Sequence, residues 1–288
     1  MTVACRGGSP SSSSASSPSS SSSSPAAALS HEAYVWQRAW TGAVRAAVAN
    51  AQPELSGLRV LTLEIAPDGT ARSPAIDTAS LVRASRPITA VVRIDGSRVP
   101  AETSLAPAFE RIERWRAAGV PVAGLEIDHD CATAALGDYA TWLAAHRPAA
   151  LRFSITALPT WASAPDELRA IAAAVDEMVV QVHAVRAPAI FDAAAARRWL
   201  EQFAAVVAVR RPVLRVALPT YEVALGAAEP EDVGAFLRAL EREPVPGVAG
   251  VVWFRLPVPP DRTAWSAAVL GAVIRGAPQP LEEIAHAR

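Results

Sequence analysis

From His31 onward the sequence repeats one pattern: a short run of β-branched and aliphatic residues, then a segment with helical spacing. Eight such runs lie near Tyr34–Trp40, Leu58–Ile65, Ile88–Ile94, Ala123–Asp130, Leu151–Leu158, Glu177–Val185, Val213–Leu218 and Val248–Leu256. Alanine-rich helical stretches separate them, among them Leu105–Ala118, Asp138–His146, Asp166–Ala174, Ala193–Val207, Asp232–Glu241 and Trp265–Arg275. Near-continuous apolar strands alternating with helices belong to parallel sheets covered on both faces. Eight units in about 250 residues fit a closed (β/α)8 TIM barrel, expected here as a single domain over residues 31–288. A doubly wound open sheet is the alternative, but it usually has fewer strands. No glycine-rich phosphate loop follows any strand here.

Residues 1–30 follow a different rule. Thirteen of the sixteen residues from Ser9 to Ser24 are serine, with prolines at 10, 18 and 25. Such a stretch buries too little apolar surface to offset its ordering entropy, so it is expected to be a disordered tether. Ahead of it, Thr2, Val3 and Ala4 run into Cys5, similar to the end of a bacterial lipoprotein signal peptide and its lipidated cysteine. Two readings stay open: a lipid-anchored, extracytoplasmic protein, or an unmodified cytoplasmic tail.

Composition narrows the function. Twenty-seven basic residues, every one arginine, face 28 acidic ones for a net charge of −1. Nucleic-acid and anionic-membrane binders normally carry a basic excess. Two cysteines, Cys5 and Cys131, cannot build a disulfide framework or a cysteine zinc site. No transmembrane segment and no cofactor motif is expected; the implied partner is a carbohydrate or another small molecule.

Active sites of such barrels sit at the C-terminal mouth, where inward strand residues converge. Alternation assigns Trp36 and Arg38, Glu64, Arg93 and Asp95, then Glu126, Asp128 and Asp130 to the first four strands. Ser154 and Thr156, Gln181 and His183, Pro219 and Tyr221, and Trp253 and Arg255 follow on the other four. Charged and aromatic groups would thus meet where apolar filling would be more stabilising.

The fourth run, with carboxylates at 126, 128 and 130, is the sharpest signal. Residues at i and i+2 are roughly 6.5–7 Å apart along a strand. Like charges that close in a partly desolvated site raise at least one pKa. A protonated carboxyl can then act as general acid beside an ionised neighbour, the division of labour in glycoside cleavage. Asp130 is the expected proton donor and Asp128 the positioning group, while Glu126 lies deepest. Ion pairing to Arg93 or Arg255 is the structural alternative.

The stretches GLEIDHDCATAALGDYATWL, LRFSITALPTW, DEMVVQVHAV and RVALPTY resemble a bacterial family known as domain of unknown function 3142. A more distant likeness is to family-18, chitinase-like glycoside hydrolases, whose fourth strand ends D-G-x-D-x-D-x-E. Residues 123–130 run in that register. Their G-x-P-x-Y motif is similar to 217–221, and Trp253 stands where their sugar-binding tryptophan would. The resemblance implies that Asp130 replaces the catalytic glutamate, one methylene shorter, and that Asp128 is the middle aspartate. His183 replaces a tyrosine. Those departures put the family's N-acetyl-assisted mechanism in question.

Trp36, Trp253 and Tyr221 could stack on sugar rings, with barrel packing the favoured role for Trp36, and Trp161 is a further candidate expected on an exposed loop above the fifth strand. Gln181, His183, Arg93 and Arg255 are further substrate-binding candidates, with Glu126 behind them. His129 is expected to be structural, and Cys131 lacks an adjacent base. Three function classes follow: a glycosidase, a non-catalytic carbohydrate-binding barrel, and a metal-dependent hydrolase using Asp128, Asp130 and His183. The spacing of the last set matches no strong metal motif.

Overall fold

The computed structural model describes residues 28–100, 103–184, 190–209, 212–223, 226–259 and 265–278. Cys5 and the serine-rich stretch to residue 27 lie outside the described residues. Among the described residues, eight parallel strands close into a barrel. They are β1 (Ser30–Val35), β2 (Gly57–Ile65), β3 (Ile88–Ile94), β4 (Val122–His129), β5 (Arg152–Ala157), β6 (Glu177–Gln181), β7 (Val213–Pro219) and β8 (Val248–Phe254). Each pairs with the next, and β1 pairs with both β2 and β8, which closes the ring. Two-residue segments at Ala71–Arg72, Glu222–Val223 and Gly226–Ala227 add short antiparallel pairings outside it.

Helices α1 (Gly42–Ala49), α2 (Thr78–Ala84), α3 (Ala106–Ala117), α4 (Leu136–His146), α5 (Pro165–Ala174), α6 (Ala193–Val207), α7 (Pro230–Arg242) and α8 (Ala267–Arg275) surround the strands. Their starts are chemically marked. Thr41, Asp77, Asp192 and Ser266 accept backbone N–H groups that the first helical turn leaves without partners. The first strand lies earlier than the sequence suggests. It ends at Val35, and Trp36 to Trp40 lead out of the barrel to the Thr41 cap.

The helices pack on the outward strand faces through one large apolar core. Inside the barrel the filling is different. Toward the N-terminal ends, Glu32, Glu126 and Glu177 mesh with Arg59, Arg152 and Arg215. Arg59 is wholly buried, donating to Glu32 at 2.7 Å, to Glu126 and Glu177, and to Ser154 at 3.2 Å. Arg215 donates to Glu177 at 2.6 Å and to Glu32 at 3.1 Å. Burial pushes the Glu177 carboxyl up, but the surrounding arginines outweigh it and bring it down to about 2. Three arginines against three glutamates leave the lattice neutral, the condition for burying charge at all.

Space for this lattice comes from glycine. A Cβ at Gly250 would fall 2.5 Å from Ser30 Oγ and 2.6 Å from the Ser30 carbonyl, and would meet the Arg215 guanidinium. Above the lattice sits a small apolar plug of Tyr34, Val91, Val179, Ala217 and Val252, against which Trp36 and Phe254 pack. The barrel is therefore closed from below, and its polar mouth lies at the strands' C-terminal ends.

Candidate functional site

One half of the mouth is acidic and organised by a single arginine. Arg93, near the end of β3, spreads its three nitrogens over three carboxylates. Nε reaches Asp95 at 3.0 Å, Nη1 reaches Asp128 at 2.8 Å and Nη2 reaches Asp130 at 2.7 Å. The β3–β4 register sets this up by placing Arg93 beside Asp128. Thr156 on β5 donates to the other Asp128 oxygen at 2.7 Å. Depth separates the two aspartates: the Asp128 side chain is 7% exposed, the Asp130 side chain 42%. Burial pushes the Asp128 carboxyl up, while Arg93 and Thr156 pull against it. Arg38 clamps Glu64 on the neighbouring rim at 2.9 and 2.8 Å.

The other half is aromatic. Strands β7, β8 and β1 lie three or four places round the ring from β4, and β6 two; they contribute Tyr221, Phe254, Trp36 and His183 at or beyond their ends, with Tyr34 just below. Phe254 is the hub. Its ring centroid lies 5.4 Å from Trp36, 5.6 Å from His183, and 5.7 Å from both Tyr34 and Tyr221. His183 Nδ1 is 3.2 Å from the Tyr221 hydroxyl. Burial alone lowers His183 to about 3, so the ring is neutral. Burial also raises the Tyr221 phenol, against the charge of Arg255.

Several expectations change in this geometry. Glu126 points inward but belongs to the lattice below; it is fully buried, held by Arg59, by Tyr34 at 2.7 Å and by Ser154 at 3.1 Å. No substrate reaches it. Trp253 faces out of the barrel, not in. Its indole N–H donates to His31 Nδ1 at 3.2 Å, and it packs beside Trp265 under the helices. The cause is an extra residue between Val248 and Gly250 in the β7–β8 register, which turns Gly250, Val252 and Phe254 inward. Phe254 thus takes the place expected of Trp253.

Trp161 is not exposed either. The turn begun by Pro159 folds its indole into the core, where it donates to the Cys131 carbonyl at 2.9 Å. Arg255 is half-buried, its backbone exchanging two hydrogen bonds with Thr220. Gln181 donates to the His183 carbonyl at 3.3 Å, bracing the strand end. Cys131 is buried and its thiol raised to about 11, which removes it as a nucleophile. His129 turns away from the mouth and bonds the Ile94 carbonyl at 3.0 Å.

The metal reading loses its ligand set. Asp128 and Asp130 share the Arg93 guanidinium, while His183, two strands away on β6, pairs with Tyr221. Among the described residues no three His, Cys, Asp or Glu side chains converge as ligands.

Sequence alone separates Asp128 and Asp130 from their apolar neighbours, but it does not reveal Phe254, Tyr34 or the Arg59 lattice. One signal for the lattice was present: lone charges at 32, 59, 177 and 215 interrupt otherwise apolar runs.

Solved structures with the same architecture include a spore cortex-lytic enzyme, SleL, from Bacillus cereus, at 11% identity and TM-score 0.56, covering 87% of this chain and 75% of that one. A chitinase from Chromobacterium violaceum aligns at 12% identity and TM-score 0.57, covering 86% and 98%. A GH18 chitinase from Pseudoalteromonas aurantia aligns at 12% and TM-score 0.54, again covering 86% and 98%. At these identities the likeness is one of fold. No curated protein matches the sequence. Residues 84–229, from the last residue of α2 to the start of α7, match the family described as domain of unknown function (DUF3142), and the chain belongs to that family.

Proposed function

We propose that the mouth of this barrel binds a carbohydrate and acts on it as a glycoside hydrolase-like site. One observation carries the reading: Asp130 is half-exposed at the open end of the inward β4 row, with buried Asp128 behind it and an aromatic wall across the ring. A sugar lays its C–H face on aromatic rings and its hydroxyls on carboxylates, and this mouth offers both. In the reaction, Asp130 gives a proton to the glycosidic oxygen while Asp128, oriented by Thr156 and Arg93, positions the reacting group. The chitinase and cortex-lytic enzymes with this fold lend support from their own activities.

A second reading has its own support. Arg93 already holds the Asp130 carboxyl in an ion pair at 2.7 Å, so that oxygen faces a guanidinium and not a bond to be cleaved. A mouth held in that state binds a glycan without cleaving it. The test is a panel of aryl-glycosides, chitotriose and cellotriose, offered to the wild type and to Asp130→Asn. Hydrolysis lost in the variant supports the enzyme. Binding without turnover, retained in the variant, supports the lectin-like barrel. Neither binding nor turnover in the wild type sinks both.

The same proposal sets the barrel outside the cytoplasm on a lipidated Cys5. Intact mass of the native-host protein decides it: a diacylglyceryl increment supports the anchor, and an unmodified Cys5 favours the cytoplasmic tail.

A further inference from the structure

We infer that His183 is a positioning residue, accepting the hydroxyl proton of Tyr221 in a hydrogen bond and so turning that oxygen's lone pairs toward the mouth. The bond stands on geometry alone; its consequence for a sugar rests on the function proposed above.

Three observations carry the inference. The His183 ring is fixed by groups other than Tyr221. Its face lies against Phe254 at 26° and 5.6 Å, and Ala184, next in the chain, donates its N–H to the Ile190 carbonyl at 2.8 Å. The Tyr221 ring stands edge-on to both His183 and Phe254, at 82° and 74°. Its hydroxyl then meets Nδ1 at 3.2 Å, and His183 is 4% exposed. Swinging either ring would break the aromatic contacts as well as the hydrogen bond.

Chemistry decides the direction of that bond. A neutral imidazole carries one N–H and one bare nitrogen, a strong acceptor. A phenol is the better donor of the two, because its oxygen lone pair is drawn into the ring. The proton therefore sits between Tyr221 and a bare Nδ1, and the imidazole hydrogen sits on Nε2. Burial is the sole cause of the shift that keeps His183 uncharged, and this preserves the bare nitrogen. With its hydrogen engaged, Tyr221 can only accept at the mouth. It thus selects a hydroxyl or amide N–H of the bound molecule.

Two experiments on the full chain test this. Nitrogen-15 spectra of the histidine rings should show His183 Nδ1 unprotonated, and its resonance should move in Tyr221→Phe. A protonated Nδ1, or a signal indifferent to Tyr221→Phe, overturns the inference whether or not any sugar binds. The second is a binding cycle with chitotriose, or with cellotriose where only that binds. His183→Phe and Tyr221→Phe should each weaken binding about tenfold, the worth of one neutral hydrogen bond. The double variant should be no worse than either, and His183→Asn, whose amide oxygen falls near Nδ1, should recover most of the loss. Losses that multiply in the double variant overturn the coupling. A wild type that binds neither sugar fails the proposed function and leaves the ring spectra to decide this inference.

Discussion

Replacing Arg59 by methionine should unfold more of this barrel than any change at its mouth. The guanidinium is wholly buried and serves three carboxylates. After its loss, Glu32 and Glu177 still have Arg215 at 3.1 and 2.6 Å and Arg152 at 3.7 and 3.6 Å. Glu126 keeps only the hydroxyls of Tyr34 and Ser154. It becomes a fully buried carboxylate without a cation, a situation that costs about 3–5 kcal/mol. For a domain of this size that is a fall in Tm of roughly 10 °C.

Glu126→Gln alone should cost less, about 1–3 kcal/mol, because Arg59 retains two carboxylates and no charge is stranded. Added to Arg59→Met, the same change should recover stability, since it removes the stranded charge. Lowering pH should also help the Arg59→Met variant. Burial already pushes Glu126 up, so protonation favours its folded form, and the gap to wild type narrows from pH 7 toward pH 5. Urea denaturation of the four proteins at both pH values reads all of this. A cost below about 1 kcal/mol for Arg59→Met, or strict additivity in the double variant, would refute the account.

Acid should destabilise the wild type through two histidines. His31 is lowered to about 4 and His183 to about 3, both mainly by burial. The stability each contributes is complete above pH 6.5 and is lost as pH falls toward those values, about 1.4 kcal/mol per pH unit for each group. Thermal melts from pH 7 to pH 4 should show this slope, and His31→Gln should flatten it. Gly250→Ala should destabilise by about 2 kcal/mol or more, because its Cβ would collide with Ser30 backbone and Arg215. Gly137→Ala, on α4 with open space around it, should be neutral or gain about 1 kcal/mol; equal effects in denaturation would contradict the packing described. Trp253→Phe should lower Tm by severing the bond to His31 yet leave sugar binding intact, whereas Phe254→Ala should abolish binding. A glycan titration showing the reverse would return Trp253 to the mouth.

Strand alternation made β4 legible because, past the register shift before Gly124, the strand alternates without a break through Glu126 and Asp128 to the end where Asp130 follows. The same rule misled on β8, where the inserted residue before Gly250 shifts the parity of everything after it. Sequence does not announce such a bulge, although the residue after it, Gly250, is one whose Cβ would meet Arg215. Trp161 escaped for a related reason. A tryptophan beside a proline reads as loop, yet the burial of its indole depends on a carbonyl 30 residues away. The mouth's acids were visible as a local pattern, but the Arg93 clamp that holds them together joins separate strands.

The lattice has one more consequence, for how such a barrel can come apart. Cut between β4 and β5, the first piece keeps Glu32, Glu126 and Arg59; the second keeps Glu177, Arg152 and Arg215. Each fragment carries an unbalanced interior of opposite sign, so neither can dehydrate alone, and each is the counterion of the other. Recombination of the two pieces should therefore weaken steeply with added salt, and this barrel is one molecule in two complementary halves.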